Sequence, residues 1–463
     1  MIILVFLLPA LSGGLLAHVL WPDREMKYLL FKAFLGVGIG LGINSLAYFV
    51  YMSFFAGQHW FFLVQIIMLL ALLSVSLWRE RTCLPREWSR RILTRPSRLQ
   101  TIFLALAAIV LLVSLSSTAS YILRRRQGDW DAWMMYNRAA RFVYRDQVNW
   151  LGSFSSQMDP IFHADYPLLL AMNIASSWDT LGSETPHVPM AQSALFAVAC
   201  AGLFVSGLAC MKSVGQAALG LIVLWGTPAV VNEGARELAD LPLAYFFLAT
   251  AILIYLYVVH RQSGLLILAG LTAGLAAWVK NEGSVFVIAG ILAVAVTFLR
   301  ERPWRALLWY GAGVAAPLAI VLYFKLFLAP PSDVLSSGPA RSLAQALELS
   351  RHLEILQFFG RELLTFGGWS LFAVPVGVIA VLLVYLLLAR GALARDHVSM
   401  VTATAVLLAV QLLGYYAVYV ITPYDLTWHL NYSIERIFLQ MFPLIAFAVL
   451  TFTQTPETIF RSN

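Results

Sequence analysis

Long apolar runs separated by short polar punctuation set the pattern of this chain. Runs able to cross roughly 30 Å of hydrocarbon lie at about 2–21, 28–53, 60–78, 101–122, 190–210, 215–231, 241–259, 265–279, 284–300, 306–328, 370–389, 398–421 and 437–453. They predict about thirteen transmembrane helices. The 265–279 and 284–300 runs are short and joined only by Lys280-Asn281-Glu282-Gly283, so they read as two spans or as one broken, re-entrant unit. The first run starts at Met1 with no basic segment before it, which predicts a span and not a cleaved signal.

Composition agrees. Of 463 residues, 12% are charged and 60% hydrophobic, against roughly a quarter charged in soluble proteins. Mean hydropathy is +0.78. Fourteen Trp, 18 Tyr and 29 Phe suit a protein with many membrane–water crossings. A soluble enzyme, a disordered chain and a nucleic-acid binder are excluded. The expected fold is a single all-α polytopic membrane domain over 1–463.

Sidedness follows from Lys and Arg. The segment 79–100 holds seven Arg against two Glu, which places it in the cytoplasm. Alternation then puts 22–27, 211–214, 260–264, 300–305, 390–397 and the C-terminus on that side. The opposite side receives two long loops, 123–189 and 329–369, and a slight acidic excess. The net charge of +7 is thus an orientation signal. Lys32 is the one ionisable group expected near mid-span. The three Cys support no disulfide frame: Cys83 falls in the cytoplasmic loop, and Cys200 and Cys210 share a span.

Five polar segments fall on the outer side. Asp129 and Asp131, in Gly128-Asp129-Trp130-Asp131, are placed to cap a helix starting near Ala132. Along that helix Arg138, Arg141 and Arg145 share one face, turned toward headgroups or an anionic ligand. Ala132, Tyr136, Ala139 and Val143 line the other. A plain surface anchor has the same pattern. His163-Ala164-Asp165-Tyr166-Pro167 precedes a second short apolar helix, and serves as a polar site or as turn and cap. Glu233, Arg236, Glu237 and Asp240 edge the next outer lip, with Arg236 and Asp240 as i,i+4 neighbours. Lys280 needs an anion: Glu282, a neighbouring acid or a phosphate. In the last outer segment Asp425, His429, Tyr432, Glu435 and Arg436 crowd together before the final span.

Cations at a lipid boundary beside carboxylates suit a lipid-phosphate substrate. Acidic residues near phosphate could hold a divalent cation, but no spacing demands one and no cofactor is specified.

These residues carry a resemblance. The chain resembles GT-C membrane glycosyltransferases, in particular the group of protein O-mannosyltransferases and the lipid A aminoarabinose transferase. GDWDAWMMYNRAARFVY and HADYPLLL resemble that fold's first external loop with its juxtamembrane helices. ELADLPLAYFF, with Asp240, resembles its acidic residue before a span. WVKNEG, with Lys280, and SIERIFLQMFP, with Arg436 and Pro443, resemble its later phosphate-side motifs. The chain departs by extra spans before the acidic loop and by lacking a large soluble C-terminal domain.

The resemblance implies inverting transfer of a sugar from a polyprenyl-phosphate donor to a lipid, glycan or protein acceptor, at the periplasmic or exterior face of the cell (inner) membrane. Asp129 or Asp131 would be the base, with Asp129 favoured because it lies nearest the membrane. Lys280, Arg436 and Arg138 would bind the donor phosphate. His163, Asp165, Tyr166, Glu237, Asp240 and His429 would shape the acceptor side. Partners are then the donor lipid, the acceptor and membrane lipids, with no nucleic acid. The competing readings are an O-antigen-type polymerase or ligase and a secondary transporter or flippase of lipid-linked sugars.

Overall fold

A computed structural model describes residues 2–82, 96–155, 157–158, 160–301, 303–332, 334, 338–389 and 395–460. Most of the basic 79–100 segment, with Cys83, lies outside the described residues.

The described chain is almost entirely helical. In order it forms α1 (Ile2–Leu20), α2 (Met26–Phe55), α3 (Phe61–Thr82), α4 (Arg98–Arg124), α5 (Asn137–Arg145), α6 (Leu169–Leu181), α7 (His187–Met211), α8 (Val214–Trp225), α9 (Pro228–Ala235), α10 (Asp240–His260), α11 (Ser263–Val279), α12 (Glu282–Thr297), α13 (Pro303–Tyr323), α14 (Gly338–Ala346) and α15 (Leu349–Thr365). A two-stranded hairpin, β1 (Trp369–Leu371) and β2 (Val374–Val376), precedes α16 (Val378–Ala389), α17 (Arg395–Ile421), α18 (Leu426–Phe452) and α19 (Pro456–Ile459). Among the described residues nine helices are long and apolar enough to cross a membrane: α1, α2, α3, α4, α7, α10, α13, α17 and α18. This is an all-α, multi-pass membrane protein.

The other expected spans differ in form. The 215–231 run is α8 and α9, bent by 68° where Gly226 and Pro228 interrupt the apolar pattern. Such a break frees backbone groups that lipid cannot satisfy. Here Trp369 donates its indole N–H to the Gly226 carbonyl at 3.0 Å, and Ala229 N–H donates to the Gly367 carbonyl at 3.3 Å. The 265–279 and 284–300 runs are two separate helices, of 17 and 16 residues. The 370–389 run is not one helix. Its first part is the hairpin, turning at Phe372 and Ala373 with positive φ, and only 12 residues are helical.

Burial orders the bundle. The apolar window of α10 is 89% buried and that of α18 83%, whereas those of α3 and α4 are each 17% buried. Thus α10 and α18 form the centre, packed on each other, while α3 and α4 show apolar faces outward. The α1–α2 pair is close because of glycine: a Cβ on Gly36 would lie 2.4 Å from Gly14 N, and one on Gly40 would lie 1.9 Å from Pro9 O. This is the small-xxx-small contact that lets membrane helices meet backbone to backbone.

Contacts sort the loops to two ends of the bundle. At one end Arg261 pairs with Glu301, Arg24 with Glu80, and Glu457 accepts from Gln100 and Ser213. The other end joins residues of 123–189, 236–240, 280–282 and 436, the loops expected to lie together. Lys32 is not isolated at mid-span: its Nζ reaches back to the Asp23 carbonyl and His18 at the first end, over the Trp21 ring.

Candidate functional site

Asp240 opens α10 and is fully buried. It sits there because the chain breaks after α9, with Glu237 in the left-handed region at φ 60°. That break also ends the expected helical pairing of Arg236 with Asp240. Asp240 takes three other partners. Lys280 Nζ donates to Oδ1 at 2.9 Å, Arg436 Nε and Nη2 donate to Oδ2 at 2.9 and 2.7 Å, and Gln440 Nε2 donates to Oδ1. The Tyr415 hydroxyl donates to Gln440 Oε1 and fixes its amide.

Two further carboxylates flank the cations. Lys280 Nζ lies 2.9 Å from Glu282 Oε1, so it meets both Asp240 and Glu282. Arg436 Nη1 lies 2.7 Å from Asp131 Oδ2. A continuous chain therefore runs Asp131, Arg436, Asp240, Lys280, Glu282 across the starts of α10 and α12, one turn of α18 and the segment before α5. Asp240 is sealed in, and Asp131 is about a quarter exposed. The site opens at Asp131.

Asp129 belongs to a neighbouring knot. Its carboxylate accepts from Tyr121 and Arg125 at 2.7 Å each and from Arg236 Nε. Burial raises its pKa, but those three donors outweigh burial and hold it below the ordinary carboxylate range. Arg236 also lies 3.6 Å from buried Glu233. Gly128 makes the knot possible: with φ at 68°, it sits where a Cβ would come within 2.5 Å of the Arg236 carbonyl, which accepts the Asp129 N–H at 3.1 Å. Neither Asp129 nor Asp131 caps the following helix. Its first turn, Ala132–Tyr136, is π-helical with no side-chain cap, and both carboxylates are spent on guanidinium groups.

The basic face of α5 also differs from expectation. Arg141 and Arg145 both bind Glu184, at 2.8 and 2.7 Å, so one carboxylate offsets one of their two charges. Only Arg138 lacks a carboxylate. Its guanidinium donates to the carbonyls of Met134 and Phe162 at 2.9 and 3.3 Å and stacks on the Phe162 ring. Nη1 is buried without a partner, and burial lowers its pKa to about 10. The opposite face, with Ala132, Tyr136, Ala139 and Val143, is buried as expected.

Asp165 is buried and accepts from Asn281 Nδ2 at 3.0 Å and from Lys325, tying its loop to the turn that carries Lys280. His163 and Tyr166 form a turn beside it, with His163 at φ 43°. Glu237 accepts from Asn137 at 3.3 Å, and burial raises its pKa to about 8. His429 is in a different place: its Nδ1 meets the Thr422 hydroxyl at 2.9 Å among Tyr419, Tyr424 and Trp428. Among the described residues no group of three or more His, Cys, Asp or Glu side chains is placed to hold a metal ion.

The structure thus joins Asp131, Asp240, Lys280 and Arg436, and leaves Asp129, Arg138 and His429 outside that chain of contacts. The sequence reading missed Gln440, Asn281, Lys325, Tyr121 and Arg125. Gln440, a polar residue inside an apolar run four positions after Arg436, carried a usable signal. No family model matches the chain, nor does any curated protein or solved structure.

Proposed function

We propose that the chain is an integral membrane glycosyltransferase, with a GT-C-like bundle, that moves a sugar from a polyprenyl-phosphate donor to an acceptor with inversion. The observation that carries this reading is the Arg436 guanidinium, bridging sealed Asp240 and partly exposed Asp131. Asp240 leaves Lys280 and Arg436 with one surplus positive charge, which Asp131 and Glu282 together more than offset, so a phosphate enters by displacing a carboxylate. A donor phosphate would take the place of Asp131 on Arg436, whose planar fork matches phosphate oxygens.

Asp131, so released, is the base. It takes the proton of the acceptor hydroxyl or amine as that atom bonds to the anomeric carbon. The bond from that carbon to the phosphate oxygen breaks, and its electron pair leaves on the phosphate, stabilised by Arg436 and Lys280. Asp129 is less suited, because two guanidinium groups and a phenol hold its lone pairs. Arg138, free of any carboxylate, adds a further cation on the donor side.

The nine long spans, the bent pair and the three shorter apolar helices (α11, α12 and α16) are compatible with a bundle of this kind. Placement at the periplasmic or exterior face of the inner membrane is supported by the Arg-rich 79–100 segment, whose flanking helices end away from the site. The test is sugar transfer in proteoliposomes holding polyprenyl-phosphate sugars. Asp131→Asn should lower turnover by about 10²- to 10⁴-fold with thermal stability preserved. Wild-type turnover in that variant would remove the base assignment, and loss in Asp129→Asn alone would return it to Asp129.

A further inference from the structure

Three aromatic residues precede Arg436 on α18 at four-residue intervals: Tyr424 just before the helix, then Trp428 and Tyr432. Their ring centroids are 5.7 and 5.0 Å apart, and they are 37%, 49% and 69% exposed. Four helical residues rise about 6 Å. The result is an aromatic strip, one turn per step, that ends at the arginine touching Asp131.

A second feature begins where the strip begins. Between α14–α15 and the turn before α18 lies an open cavity of about 300 Å³, lined by Arg341, Gln345, Glu348, Arg351, Glu354 and Asp425 among others. That volume is at the lower end for small-molecule sites. Its walls are fixed by the chain itself. Arg351 Nε donates to the Val420 carbonyl at 2.8 Å and Nη2 to the Thr422 carbonyl at 3.2 Å. Gln345 also donates to Thr422, and Thr427 to Glu354.

We propose that the cavity and the Tyr424–Trp428–Tyr432 strip form a track for a carbohydrate chain, the acceptor, whose end is delivered to Asp131. Aromatic faces pack on the C–H faces of sugar rings while keeping a polar edge in water. The cavity offers carboxylates and guanidinium groups together, which suits many neutral hydroxyls. An acyl chain would find few apolar walls there, and an anion would meet three carboxylates (Glu348, Glu354 and Asp425) against two cations (Arg341 and Arg351). The spacing matters as well, because a strip rising one turn at a time meets successive sugar units of an extended glycan. This inference rests on the transferase reading for the role of the track, but not for the binding itself.

The test uses the full chain purified in detergent and neutral glucan and mannan oligosaccharides of increasing length, with binding read by native mass spectrometry and saturation-transfer NMR. Affinity should rise with length. Trp428→Ala should weaken the longest oligosaccharide about tenfold, and Trp428→Phe should retain most of the binding. Thermal protection by polyprenyl phosphate should be unchanged in both. Absence of length-dependent binding by wild type, or equal binding by Trp428→Ala, overturns the track. So does quenching by brominated acyl chains that is lost in Trp428→Phe, since it would place the ring in lipid as an interfacial anchor. The two readings separate cleanly: retained transfer in Asp131→Asn removes the catalytic role and leaves oligosaccharide binding intact, while absent binding with Asp131-dependent transfer removes the track alone.

Discussion

Two ion pairs at opposite ends of the bundle use the same kinds of charged residue in opposite surroundings. At one end Arg261 and Glu301 pair with 43% and 42% of their side chains exposed, where water supplies most of the solvation and the pair adds little. At the other, Lys280 and Asp240 pair at 7% and 0%, and each depends on the other. A lone charge buried there would be expensive. Arg–Glu and Lys–Asp look alike in a sequence. Burial makes one pair a surface ornament and the other a site.

Substitutions can break this contrast. The largest effect should come from Asp240→Ala, which strands Lys280 and Arg436 and should destabilise by about 3–5 kcal/mol. Glu301→Ala should change stability by about 1 kcal/mol or less. Thermal unfolding of both in one detergent compares them directly, and equal shifts would erase the difference between the ends. Next, Arg436→Lys keeps the charge and loses the fork between Asp131 and Asp240. One charge-assisted hydrogen bond is worth about 1.5–3 kcal/mol, so transfer should fall roughly ten- to hundredfold, with weaker thermal protection by the donor lipid.

Glu237 sharpens the comparison through pH. Its folded pKa, raised to about 8 by burial, exceeds the unfolded value near 4.5. The folded state therefore keeps a proton that the unfolded state sheds, and this group's contribution to stability falls as pH rises from about 4.5 to 8. Glu237→Gln should flatten that part of the stability profile and raise the unfolding temperature at pH 8 more than at pH 5. An unchanged profile would show that Glu237 is solvated. The smallest effect belongs to Arg145→Ala. Arg145 lies at the site end but is 63% exposed, and its loss should cost at most about 1 kcal/mol. A larger cost would mean that position along the bundle, and not burial, sets the value of an ion pair.

Much of the architecture was legible in the apolar runs, because lipid demands a continuous apolar length from each helix. Hydropathy cannot separate an apolar hairpin from an apolar helix, so the segment from Ser370 to Val376 reads as part of a span. Its Gly367-Gly368 and Pro375 carried the contrary signal. Asp240, Lys280 and Arg436 stood out because a charge at a span's edge needs a reason. Which acid each cation would choose did not. Arg236 seemed paired with Asp240 by helical spacing until the left-handed Glu237 broke the helix between them. The choice of Asp131 over Asp129 likewise depends on Tyr121, Arg125 and Arg236 converging from the end of α4 and the turn after α9, which no local pattern records.

The buried carboxylate of Asp240 also imposes an order on synthesis. Its first cation, Lys280, follows 40 residues later, and Arg436 follows 196 residues later. At about 5–20 residues per second, the second partner emerges roughly 10 to 40 s after the first half of the bundle has been made. During that interval the newborn chain can pair Asp240 with Lys280 alone, and only arrival of the last long helix brings Arg436 to Oδ2. A chain cut short before α18 would lack Arg436 and Gln440, and Asp240 would keep Lys280 but lose the three hydrogen bonds that α18 donates to it.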